Sequence, residues 1–197
     1  GTNDLDAGSS GTVNLLLQGA SGSMKLENTL NVTGNLTINA AQTTSNISGA
    51  INATGNITAT DSNSITTTAS ISAAGNISLT ADAGSLSVGG NLTSTGASKK
   101  ITLKATGNVS TSTSVTIQSN AGNIVFWSNS DKVAGVAGDG GQVYLASNTS
   151  LNSQGGGIYL GGGRDDGGTD SGIPSMNGWS SMAAGDGLPD GFGNGNN

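Results

Sequence analysis

Aliphatic residues alternate with Thr, Ser and Asn along most of the chain, in short runs broken by glycine. Val13, Leu15 and Leu17 begin the pattern, Met24 and Leu26 follow, then Leu30 and Val32. Alternation with period two predicts strands with one buried and one solvated face. We read these three runs as one coil. The second coil is Leu36/Ile38, Ile47 and Ile51/Ala53, and the third is Ile57/Ala59, Ile65/Thr67 and Ile71/Ala73. The fourth is Ile77/Leu79, Leu86/Val88 and Leu92, and the fifth is Ile101/Leu103, Val109 and Val115/Ile117. A sixth starts at Ile124/Phe126 and runs through Val133 or Val136 to Val143/Leu145, with Ile158 and Leu160 in a partial last coil.

The first strand thus returns at Leu15, Leu36, Ile57, Ile77, Ile101 and Ile124, a recurrence of about 20 residues, the size of one rung of a parallel β-helix. Rungs of such a coil lie about 4.8 Å apart, with aliphatic side chains inside and Thr, Ser and Asn outside. The fold expected is all-β, a single-stranded parallel β-helix (β-solenoid) with three short strands per coil. Residues 12–163 would form its body, 1–11 an irregular N-terminal segment, and 164–197 a Gly/Asp-rich tail held by a neighbouring subunit. A sandwich of antiparallel strands is the competing fold. The regular coil length and the lack of two-residue hairpin signals speak against it. No stretch shows sustained helical periodicity.

A corner unit punctuates the coils. It reads Gly34-Asn35-Leu36-Thr37, Gly55-Asn56-Ile57-Thr58, Gly75-Asn76-Ile77-Ser78, Gly90-Asn91-Leu92-Thr93, Gly107-Asn108-Val109-Ser110 and Gly122-Asn123-Ile124-Val125. Gly and Asn suit turns, and an aliphatic residue beside Thr or Ser suits a half-buried strand. Asn35, Asn56, Asn76 and Asn123 open first strands, so their amides are placed to stack as a hydrogen-bonded ladder. Gly90-Asn91 opens a third strand and Gly107-Asn108 a second, which makes the unit a corner device for any side of the coil. Thr37, Thr58, Ser78 and Thr102 form a hydroxyl row beside the ladder.

Composition narrows the function. Charged residues make up 9% and aromatics 3%, with no His and no Cys. The usual general bases and thiol nucleophiles are therefore missing, and we expect no enzyme. The net charge of −6 comes from the ends. Without a basic patch, nucleic acid is not an expected partner, and no apolar run is long enough to insert into a membrane. The chain starts without Met, as a processed product or excised fragment would.

Four features remain as candidate chemistry. Asp165, Asp166, Asp170, Asp186 and Asp190 are carboxylates that can take part in a calcium site, the only cofactor considered. The segment Asp186-Gly187-Leu188-Pro189-Asp190-Gly191 resembles the second half of an Asp-rich calcium repeat, although Ala183, Ala184 and Gly185 stand where further ligands belong. Asn-X-Ser/Thr occurs at Asn31, Asn35, Asn46, Asn52, Asn56, Asn76, Asn91, Asn108 and Asn148, which strand alternation also produces without modification. All aromatics fall after residue 120: Phe126, Trp127, Tyr144, Tyr159, Trp179 and Phe192. Trp127, Tyr144 and Tyr159 flank core-facing residues and are expected to point outward, as contact aromatics together with Trp179.

The Gly-Asn-aliphatic-Thr units, with Gly157-Ile158-Tyr159-Leu160-Gly161-Gly162-Gly163, resemble the repeat body of filamentous-haemagglutinin-like bacterial adhesins, which include two-partner secretion exoproteins. The family's Asn-Pro secretion signature does not occur here. The resemblance implies a right-handed β-helix at the cell surface, non-catalytic, used for adhesion or as a fibre. The function expected is a non-enzymatic extracellular structural protein, a β-solenoid subunit of a bacterial surface fibre or filament formed by end-to-end self-association. Its principal partner is then itself. The alternatives are a segment of a cell-surface adhesin binding glycans or matrix and, third, an ice-binding or lyase-like β-helix.

Overall fold

The structure is a computed structural model that describes residues 2–18, 23–41, 44–131 and 141–163. These residues wind into a β-solenoid with three parallel sheets and no helix among them. The first face stacks β2 (Thr12–Gln18), β5 (Asn35–Ala41), β8 (Ile57–Asp61), β11 (Ile77–Ala81), β14 (Ile101–Ala105), β17 (Ile124–Ser128) and β20 (Ile158–Gly162). The second stacks β3 (Ser23–Leu26), β6 (Thr44–Ile47), β9 (Ile65–Thr67), β12 (Leu86–Val88), β15 (Val109–Thr111) and β18 (Val143–Tyr144). The third stacks β1 (Thr2–Asp6), β4 (Thr29–Thr33), β7 (Ile51–Ala53), β10 (Ile71–Ala73), β13 (Leu92–Ala97), β16 (Thr116–Asn120) and β19 (Ser150–Asn152).

Alternation does the folding. In β8 and β11 every second residue is buried, and the residues between them are exposed or half-buried. Leu36 pairs with Ile57, Ile57 with Ile77, Ile77 with Ile101 and Ile101 with Ile124, so like side chains stack along the axis. Leu30, Ile51, Ile71, Leu92 and Ile117 do the same on the third face. Together they form one continuous core from Met24 to Phe126. Each strand is too short to bury its aliphatic side alone, so the stack is the stable unit.

Three boundaries differ from the sequence reading. Residues 2–6 are not irregular: they form β1, paired in register with Thr29–Thr33. Leu5 is the one aliphatic residue among polar neighbours there, too little for a strand pattern. In the first coil, Val13 pairs with Leu36 and Leu15 with Ile38. The Asn35 N–H donates to the Gly11 carbonyl, and that corner bond sets the register two residues from the alignment of Leu15 with Leu36. In the sixth coil Val143 lies on the second face, paired with Val109, and the third strand is β19, with Leu151 inward. The longer step between β17 and β18 hid that assignment; Val133 and Val136 lie outside the described residues, as does the whole 164–197 tail.

Candidate functional site

The corner asparagines form a ladder, of a different kind from amide stacked on amide. The Asn56 backbone N–H donates to Asn35 Oδ1 at 2.8 Å, the Asn76 N–H to Asn56 Oδ1 at 2.8 Å, and the Lys100 N–H to Asn76 Oδ1 at 2.8 Å. One amide–amide bond accompanies them, Asn56 Nδ2 to Asn35 Oδ1 at 3.0 Å. A corner N–H falls outside the strand ladders and needs an acceptor, which the side chain one coil below supplies. Lys100 has no acceptor to pass on. The series resumes at Asn123, whose Oδ1 accepts the Gly157 N–H at 2.9 Å. The other corners repeat the device. The Asn108 N–H donates to Ser85 Oγ at 3.1 Å, the Gln142 N–H to Asn108 Oδ1 at 2.8 Å, and the Thr116 N–H to Asn91 Oδ1 at 2.8 Å.

The aromatics do not line up as one exposed strip. Trp127 occupies an outward position in β17, yet it is only 5% exposed. Its Nε1 donates to the Gly163 carbonyl at 2.6 Å, and the Lys104 ammonium sits 4.2 Å from its ring centroid. An outward position predicts exposure only while nothing lies over the face, and here the chain beyond β20 meets the indole. Tyr144 is 63% exposed on the second face, and Tyr159 is half-buried on the first. Trp179 lies outside the described residues, as do Asp165, Asp166, Asp170, Asp186 and Asp190. Among the described residues no group of His, Cys, Asp or Glu is arranged to hold a metal ion.

Thr37, Thr58, Ser78 and Thr102 do stand in one row on the first face, each paired with the next. The structure adds a second row that the sequence reading missed. Asn39, Thr60, Thr80 and Lys104 pair in the same register two residues on. Its signal was the polar residue next but one along each strand, as in Thr58-Ala59-Thr60.

Two further features escaped the sequence reading. Asp61 stands at an inward position, in line with Ala40 and Ala81, and is fully buried. Its Oδ2 accepts a short hydrogen bond from Ser45 Oγ, and its Oδ1 accepts the Asn63 N–H at 2.7 Å. The carboxylate thereby joins the corner after β8 to β6 one coil below. The legible sign was alternation itself, since Ile57, Ala59 and Asp61 share one side. The second feature is a groove of about 420 Å³ on the third face, lined in part by Asp4, Asp6, Asn31, Asn52, Thr54 and Thr95. Asn31 Nδ2 donates to Asp4 Oδ1 at 2.8 Å and Asn52 Nδ2 to Asn31 Oδ1 at 2.9 Å.

No protein-family model, curated protein or solved structure matches this chain. The fold alone defines a class, a β-solenoid repeat protein.

Proposed function

We propose that this chain is a non-enzymatic structural β-solenoid, a subunit of an extracellular surface fibre built by end-to-end association. One observation carries the proposal. The core column continues to β20, where Ile158 and Leu160 are inward residues still 40% exposed. Among the described residues no strand pairs with the outer edge of β20. An unpaired edge beside exposed core residues is a template for another strand, and a second solenoid supplies three such strands at once. The contact joins unlike surfaces and so propagates instead of closing. The resemblance of the corner units to surface-adhesin repeats supports the cellular setting. Light scattering against concentration tests the reading. At 1 M salt the native chain is expected to grow in mass, and Ile158→Asp with Leu160→Asp is expected to hold it at monomer mass. Equal growth by native chain and variant would reject the end contact.

The paired hydroxyl rows favour a second reading, adsorption to an ordered lattice such as ice. Thr58 and Thr60 lie directly beside Ser78 and Thr80, a grid with about 4.8 Å between coils. Ice-crystal shaping by the purified chain would support it; growth of unmodified ice crystals would remove it.

A further inference from the structure

We infer that two copies of this chain pair side by side, antiparallel, along the edge between the third and first faces. The contact is independent of the end-to-end reading.

The edge carries a protrusion and a groove of opposite charge. The step from Asn76 to Lys100 is 24 residues, against 20 from Asn56 to Asn76. The extra residues fall at the corner after Ser94, where the register with the next coil shifts. There Thr95 and Gly96 bulge out of register, Ser98 to Lys100 leave the sheet, Ser98 takes φ of 59°, and Lys99 and Lys100 are exposed. Neither lysine side chain has a partner among the described residues, and no ion pair occurs within them. Four coils below on the same edge, Asp4 and Asp6 are exposed at one end of the groove that runs to Thr95. Among the described residues Asp4 accepts only from Asn31, and Asp6 only from the Gly8 N–H.

The lysine corner and the acidic end are thus about 19 Å apart, at 4.8 Å per coil. Turning a second copy over about a two-fold axis near Asn52 brings each lysine corner to the other copy's acidic end. Both contacts form together, as an isologous pair requires. The small residues at mid-groove, Thr54, Ser72 and Ala74, let the two backbones approach. Long flexible lysines suit an open groove, since the stem lies along its wall while the ammonium reaches the carboxylates. Of the other described charges, Asp61 is buried and Lys104 is held over Trp127.

Charge swapping tests this by sedimentation, in the Ile158→Asp, Leu160→Asp background that removes the end contact. At 10 mM salt the parent should rise from 19.0 kDa towards twice that mass, and fall back at 1 M salt, where the screening length is only about 3 Å. Lys99→Glu with Lys100→Glu should stay at monomer mass, and so should Asp4→Lys with Asp6→Lys. All four changes in one chain should restore the dimer. Asn52→Cys, in a chain otherwise free of Cys, should form a disulfide to itself across the axis. A parent that stays monomeric at 10 mM salt, a dimer that survives 1 M salt, or a four-fold swap that stays monomeric while circular dichroism shows it folded would each overturn the pairing. Failure of the end contact would leave these results unchanged.

Discussion

Asn35 Oδ1 accepts two hydrogen bonds from Asn56, one from its backbone N–H at 2.8 Å and one from its Nδ2 at 3.0 Å. That oxygen ties one coil to the next at a point the β-ladders do not reach. The same contact recurs up the edge, so the coil spacing at the corner is set by carboxamides as well as by strands.

Removing one rung of this series should therefore weaken the stack. Asn56→Ala deletes the Nδ2 donor to Asn35 Oδ1 and the acceptor for the Asn76 N–H. We expect a loss of about 1 kcal/mol in urea unfolding. Asn46→Ala is the control. Asn46 is exposed in mid-strand, with no side-chain hydrogen bond among the described residues, and the expected change is within about 0.5 kcal/mol. Equal effects at the two positions would remove the ladder from the account.

Asp61 is the most costly polar residue to lose. Asp61→Ala leaves the buried Ser45 hydroxyl and the Asn63 N–H without their acceptor. The expected destabilisation is about 2 kcal/mol. Pairing that change with Ser45→Ala should recover part of it, because no orphaned hydroxyl then remains in the core. A double variant as unstable as the sum of the two singles would contradict the direct Ser45–Asp61 bond.

Glycine at the corners is required by contact between coils. A Cβ on Gly122 would lie 1.8 Å from the Lys99 carbonyl oxygen. Backbone cannot yield as a side-chain tip can, so Gly122→Ala should cost about 3 kcal/mol. Gly155 is the converse case. Its φ is +108° but a Cβ there meets open space, so Gly155→Ala should cost about 1 kcal/mol, from the left-handed backbone alone. Thermal unfolding of the two variants ranks them.

These positions show what alternation can and cannot reveal. Leu36, Ile57 and Ile77 announce their stacking because each stands in a period-two run beside a corner glycine. Most strands of the body were legible on that ground. β1 was not, since Asn3 and Asp4 are polar and the strand exists only because Thr29–Thr33 offers an edge. Leu15 was aligned with Leu36 because sequence spacing cannot register two strands, whereas the Asn35 to Gly11 bond does. The corner asparagines take as partner the next coil's backbone N–H. A residue list cannot show that choice. Trp127 looked exposed because its cover, Gly163 and Lys104, is distant in sequence or on another coil. Asp4, Asp6, Lys99 and Lys100 were only charges until coiling put them on one edge.

The central claim is that one solenoid continues into the next. Electron microscopy of the chain purified at high concentration measures it most directly. At 1 M salt, where side-by-side pairing is screened, the account predicts unbranched filaments of one solenoid's width, with strands perpendicular to the axis and a repeat of about 4.8 Å along it. Single short rods at every concentration, with no growth in length, would contradict it.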